Sequence, residues 1–298
     1  MASPQYESLI QALNQPMFPP DDPLEVAREK LEAVHGHPVA ESTRVEHVEL
    51  GGVACSWVTV PEAEGSDATL VLCHGGAYIA ACGDGYLFYA EMLGRPCRAR
   101  VLLVDYRLAP GHRHPAAVND CAAACQGLLD AGTPAERVLL IGDSCGGGLA
   151  IGALLRLRAA GAALPSGAVT LGGWFDLEAP WPPQHTPHGP EPFLHPEFVR
   201  ARGRDYVGPD ADPADPLASV VHADLTGLPP LLLQVGGVDG ARFDAFRLAE
   251  NAARDGVDVT LEVHPEMIHG FQGLANGGLP EAEDALQRVA DWVCARLR

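Results

Sequence analysis

The sequence predicts an α/β fold: a mostly parallel, eight-stranded sheet with helices on both faces and a helical cap. Three observations carry this. Short β-branched and apolar runs alternate with helical stretches along most of the chain, the pattern of a doubly wound sheet. The inner runs are almost wholly apolar, as strands are when helices cover both faces. The chain has 298 residues, 47% of them hydrophobic, enough for one large core.

The elements follow in order. Arg44–Leu50 and Val53–Val60 alternate in polarity and meet at Gly51-Gly52, so they read as an antiparallel hairpin at an edge. Thr69–Cys73, Val101–Asp105, Arg137–Ile141, Ala168–Gly173, Leu231–Val235 and Val257–Val263 read as the remaining strands. Helical patterns fall at about Gly85–Leu93, Ala116–Asp130, Gly148–Ala160, Arg242–Asp255 and Glu281–Arg298. Two regions stand outside the alternation: Met1–Thr43 and the Pro- and His-rich Glu178–Thr226, the latter with a helical stretch at Pro196–Tyr206. Both are too long for ordinary connections and are expected to pack over the sheet. The chain therefore reads as a single domain, 1–298, with 1–43 and 178–226 as cap regions over a pocket at the carboxyl ends of the strands.

Composition excludes several function classes. A net charge of −19 argues against nucleic acid and favours a neutral or weakly charged small substrate. No basic run suggests an anionic membrane surface, and no apolar stretch reaches membrane-spanning length. Met1–Pro20 lacks the basic head and apolar core of a signal peptide, so a cytoplasmic protein with reduced thiols is expected from its eight cysteines. Cys121 and Cys125 lie one helical turn apart with no partner pair at zinc-like spacing, and read as a packed helix face. His185, His188 and His195 read as solvated loop residues. No metal and no organic cofactor is implied.

Chemistry concentrates at strand ends. Gly142-Asp143-Ser144-Cys145-Gly146 joins an apolar strand to a helix, the context in which a strained turn projects a serine hydroxyl. Flanking glycines let that turn close without a Cβ clash. His74-Gly75-Gly76-Ala77-Tyr78 follows another strand, where glycines let backbone N–H groups turn toward developing negative charge. Asp105-Tyr106-Arg107-Leu108-Ala109-Pro110 follows a third and reads as a structural loop, Arg107 pairing with a carboxylate. Asp239, just past Leu231–Val235, could orient an imidazole or cap the following helix. His264 and His269 follow the last strand, and either could serve as a base. Asp244 falls too far into the next helix for the acid, Asp143 is too close to the serine, and His264 falls at the strand end. His74 reads as an anchor for its own loop, and Cys145 lies one position beyond the exposed tip of the turn. The order Ser144, Asp239, His269 matches the α/β-hydrolase order of nucleophile, acid and base.

From about Val53 to the end, the chain resembles the hormone-sensitive-lipase-like bacterial carboxylesterases of the α/β-hydrolase superfamily. His74–Ala77 resembles that family's HGGG motif, and Gly142–Gly146 its GDSAG motif. Asp105–Pro110, Asp215-Pro216-Leu217-Ala218-Ser219 and the Gly270-Phe271 after His269 match as well. The resemblance implies a serine carboxylesterase that hydrolyses short- to medium-chain esters through an acyl-enzyme. Its catalytic residues would be Ser144, Asp239 and His269. Its oxyanion hole would draw on Gly75, Gly76, Ala77 and Cys145, with Gly76 and Ala77 as the stronger pair and Gly75 shaping the turn. Among the cap aromatics, Phe18, Trp181 and Phe193 are expected to line the substrate pocket. The same triad could serve a lactonase or an amidase, and the edge strand Val257–Val263 suits a homodimer. Three residues depart from the family pattern. Ala77 stands for the last glycine of HGGG. Cys145 replaces an alanine, and its side chain is expected to narrow the acyl site. Gly111 replaces a glutamate, which leaves the support of its loop open.

Overall fold

The computed structural model describes residues 2–81 and 83–297. Its eight-stranded sheet comprises β1 (Arg44–Leu50), β2 (Val53–Thr59), β3 (Thr69–Cys73), β4 (Arg100–Val104), β5 (Val138–Asp143), β6 (Ala168–Leu171), β7 (Leu231–Gly236) and β8 (Val259–His264). The strand order is β1-β2-β4-β3-β5-β6-β7-β8. β1 pairs antiparallel with β2, and β2 antiparallel with β4, while every later pairing is parallel. At the hairpin, Gly51 and Gly52 hold φ of +59° and +77°, and a side chain on Gly51 would collide with the Ala123 carbonyl. Only glycine meets both demands.

Helices α3 (Leu87–Cys97) and α8 (Pro280–Arg296) pack together on one face of the sheet. On the other face lie α4 (Ala116–Asp130), α5 (Cys145–Ala159) and α7 (Arg242–Arg254), the last two bridged by a 3-10 turn at Val220–His222. Covered on both sides, β3, β5 and β7 are buried along their whole length. The outer strands β1 and β8 are half-buried or exposed throughout, as edges are. Cys121 and Cys125 lie buried on α4.

The boundaries differ from the sequence reading where close backbone approach decides them. β6 stops at Leu171 because Gly172 turns to φ +57°. α5 begins at Cys145 rather than Gly148, its first turn running through glycines that intrinsic propensity disfavours. α3 starts at Leu87, after a 3-10 turn over Gly83–Tyr86, and β8 starts at Val259.

Two helices occupy the leading region. In α1 (Pro4–Ala12), Ser3 caps the N-terminus by accepting the Tyr6 N–H at 3.2 Å, and Pro4 supplies the first helical position. Tyr6 and Ile10 then pack against Met267, Ile268, Phe271 and Leu279 in a cluster of their own. α2 (Leu24–His35) buries Ala27 and Leu31 in the main core. The region 178–226 holds a two-residue ladder, His185–Thr186 against Gly189–Pro190, and α6 (Pro196–Val207), which His195 caps by accepting the Glu197 N–H at 3.3 Å. His188 lies 3.3 Å from Glu7. Among the described residues, no helix is long and apolar enough to cross a membrane.

Candidate active site

Ser144 stands between β5 and α5 with φ +51° and ψ −126°, a conformation costly for a residue with a Cβ. Tight packing imposes it. A side chain on Gly142 would lie 2.1 Å from the Gly146 carbonyl oxygen, and one on Gly146 would lie 2.0 Å from that of Cys73. The elbow is thus wedged against the end of β3. The Ser144 N–H donates to the Leu171 carbonyl at 2.9 Å, and its own carbonyl accepts from Gly147 at 3.0 Å and Trp174 at 2.9 Å.

The loops after β7 and β8 bring the other two groups to this point. His269 Nε2 lies 3.0 Å from Ser144 Oγ, and His269 Nδ1 lies 2.9 Å from Asp239 Oδ2. Asp239 is fully buried, and its other oxygen accepts the Ala241 N–H at 2.8 Å, so the carboxylate is held at both ends. Burial pulls the imidazole toward neutrality, but the Asp239, Glu191 and Asp143 carboxylates together outweigh it and raise the His269 pKa. Asp244 is also buried but points elsewhere, accepting the N–H groups of Phe175 and Asp176. His264 ends β8, its ring 5.0 Å from that of Phe271.

The glycine loop after β3 faces the same point. Gly76 and Ala77 line the cavity beside Ser144, with φ of +96° and +53°. Ala77 therefore takes the left-handed backbone of a glycine while carrying its methyl group. Among the described residues, the Gly76 N–H makes no hydrogen bond, while that of Ala77 faces the Cys145 sulfur. Cys145 opens α5, where backbone N–H groups lack intrahelical acceptors and the helix dipole favours an anion. Gly75 differs from its expected place in the oxyanion hole. Its N–H donates to Asp143 Oδ1 at 2.9 Å and is spent on holding the loop. Asp143 also accepts from the Tyr86 hydroxyl at 2.7 Å. Burial pushes its carboxyl up to about 6 despite these donors and the nearby imidazole.

His74 is buried and stacked on Tyr106 at 4.0 Å, and its Nδ1 lies 2.7 Å from the Gly75 carbonyl. Burial lowers its pKa to about 3, so it is a neutral anchor. The Cys145 side chain turns away from the cavity, contrary to the expected narrowing of the acyl site. Its sulfur accepts the Tyr78 N–H at 3.3 Å, and burial pushes the thiol up to about 12. Asp120 takes a bidentate pair from Arg107, at 2.8 and 2.7 Å. Where Gly111 leaves no carboxylate, Arg28 of α2 reaches across, donating to the carbonyls of Ile79 at 2.9 Å and Ala109 at 2.8 Å.

Around Ser144 lies a cavity of about 780 Å³. Phe18 and Phe193 line it, with ring centroids 6.3 Å apart, and Phe18 stacks on Phe198 at 5.4 Å. Trp181 is not part of that lining. It is buried over Gly240, where an added Cβ would lie 2.3 Å from the indole. Trp174, Tyr89, Leu194 and His35 do line the cavity, and the sequence reading missed them. Leu194 lies two positions before the helical pattern at Pro196–Tyr206, and the others sit in core-like contexts that carry no separate signal. Asp176, Glu178 and His222 bring ligand-type atoms within 4.8 Å of one another. Asp176 is already engaged by Arg247, however, and none of the three lines the cavity.

A family model described as the alpha/beta hydrolase fold matches residues 70–273. An acetyl-hydrolase from Streptomyces hygroscopicus is 39% identical over 240 residues, covering 80% of this chain and 79% of that one. The crystal structure of an esterase from the bacterial hormone-sensitive lipase family superposes with a TM-score of 0.89 at 32% identity, covering 100% of both chains. The structure of the esterase EstE5 soaked with p-nitrophenyl butyrate gives 0.89 at 32% identity, covering 99% of each chain. The chain thus belongs to the alpha/beta hydrolase fold family, within its hormone-sensitive-lipase branch of bacterial esterases.

Proposed function

We propose that this chain is a serine carboxylesterase that cleaves short- to medium-chain esters through an acyl-enzyme. The observation that carries the reading is the line of hydroxyl, imidazole and carboxylate, at 3.0 and 2.9 Å, opening into one apolar cavity. Ser144 Oγ attacks the ester carbonyl while His269 Nε2 takes its proton, then returns it to the leaving alcohol. Asp239 holds the imidazole with Nδ1 protonated and stabilises its charged form. The N–H groups of Gly76, Ala77 and Cys145 stabilise the oxyanion, each worth about 3 kcal/mol in the transition state. Water then cleaves the acyl-enzyme along the reverse proton path.

Regions 1–43 and 178–226 act as the cap in this reading, because both contribute to the cavity wall: Phe18 and His35 from the first, Phe193 and Phe198 from the second. The size of the cavity and its largely aliphatic and aromatic wall suit acyl or alcohol groups of several carbons. The half-exposed edge β8, with Val263 41% exposed, supports pairing with a second copy.

The test is hydrolysis of p-nitrophenyl butyrate by the wild type and by Ser144→Ala, with a phosphonate ester as covalent probe. Turnover in the wild type, its loss in the variant, and a mass increase on Ser144 alone are expected. Undiminished turnover in Ser144→Ala would remove the serine from the reaction.

A further inference from the structure

Glu191 lies in the 178–226 region, 3% exposed, and among the described residues no lysine or arginine pairs with it. A buried carboxylate without a cation is costly unless hydrogen bonds compensate. Three backbone N–H groups do so. One oxygen accepts from His269 at 3.1 Å. The other accepts from Phe193 at 3.1 Å and, more closely, from Leu194. Both of those residues line the substrate cavity. The loop is also fastened from behind: the Glu191 N–H donates to the Gln184 carbonyl at 2.9 Å, and the Met17 N–H to the Pro192 carbonyl at 2.8 Å.

We propose that Glu191 is a positioning residue for ester hydrolysis: one carboxylate holds the backbone of the base, His269, and the cavity wall at Phe193–Leu194 in a single register. The inference rests on the serine-esterase reading above and deepens it. Seating a substrate against Phe193 and placing the imidazole against Ser144 then become linked events. The carboxylate also adds negative charge near the imidazolium that forms during attack. The titratable groups facing this position are His269, Asp239 and Tyr6, with Asp143 and His35 facing His269. Burial and Asp239 push Glu191 up to about 7, opposed by His269 and the amides. Its charge raises the His269 pKa. Removing it should therefore move the acid limb of activity to lower pH.

The experiment compares wild type, Ser144→Ala, Glu191→Gln and Glu191→Asp on p-nitrophenyl butyrate from pH 5 to 9. In Glu191→Gln, with native circular dichroism, kcat should fall about tenfold while KM stays within about threefold, the loss of one charge-assisted hydrogen bond. Its acid limb should move to lower pH. A kcat within about twofold of wild type overturns the proposal. So does a lower kcat with an unmoved limb, because Glu191 would then only prop the fold. If Glu191→Gln does not fold, Glu191→Asp decides: it keeps the charge but shortens the reach, so it should keep the wild-type limb with a lower kcat. A shifted limb or an unchanged kcat in that variant overturns the proposal. Absence of turnover in the wild type would remove the esterase reading and this inference together, whereas wild-type turnover lost in Ser144→Ala leaves only Glu191 in question.

Discussion

The strained elbow makes an unusual stability prediction. Ser144 holds φ +51° and ψ −126°, outside the regions open to residues with a Cβ. Such a conformation costs about 2 kcal/mol, and glycine escapes most of it. Replacing alanine by glycine normally destabilises a protein by about 0.5–1 kcal/mol, because the unfolded chain gains freedom. At position 144 the two effects oppose, and strain relief is the larger. Both Ser144→Ala and Ser144→Gly remove the hydroxyl and its 3.0 Å contact with His269, so that loss cancels between them. The glycine variant should be the more stable by about 1 kcal/mol. For a chain of this size that corresponds to a melting temperature about 2 °C higher. The assay is thermal unfolding of both variants by circular dichroism in one buffer at one scan rate. A glycine variant that melts a degree or more below the alanine variant would refute the strain argument, and with it the reason the hydroxyl projects into the cavity.

Further outcomes follow from the same geometry. Asp239→Asn should lower kcat by roughly three to four orders of magnitude with KM little changed, since the imidazole loses both its tautomer and its counter-charge; steady-state kinetics would detect anything milder. In the proposed mechanism His269 must be neutral to take the serine proton, and carboxylates raise its pKa in the fold. The profile of kcat/KM should accordingly fall on the acid side with a midpoint above the ordinary imidazole value of about 6.5; a midpoint below that value would contradict the balance of charges. Phe18→Ala and Phe193→Ala should shift preference toward longer or bulkier acyl groups on a p-nitrophenyl ester series, whereas Trp181→Ala, outside the cavity lining, should leave the ranking unchanged. Equal rankings in all three would detach the aromatic wall from specificity.

The order of the elements was written in the sequence. Hydrophobic runs of strand length separated by helical periods are local signals, and they located all eight strands to within a few residues. Glycine spacing around Ser144 and His74 was legible for the same reason, because tight turns restrict residue type locally. What only the tertiary structure decided depends on groups far apart in the chain. The Gly75 N–H is spent on Asp143, 68 positions away, rather than aimed at the cavity. Arg28 serves the loop that Gly111 leaves without a carboxylate, and Trp181 packs over Gly240 rather than lining the cavity. Glu191, a lone acid in a Pro-rich stretch, gave no local sign that it holds the backbone of His269 across 78 positions. Periodicity and turn chemistry constrain where the backbone goes, because they act between near neighbours. A hydrogen-bonding group finds its partner only after the chain has closed, and there direction and burial, not residue type, settle its role.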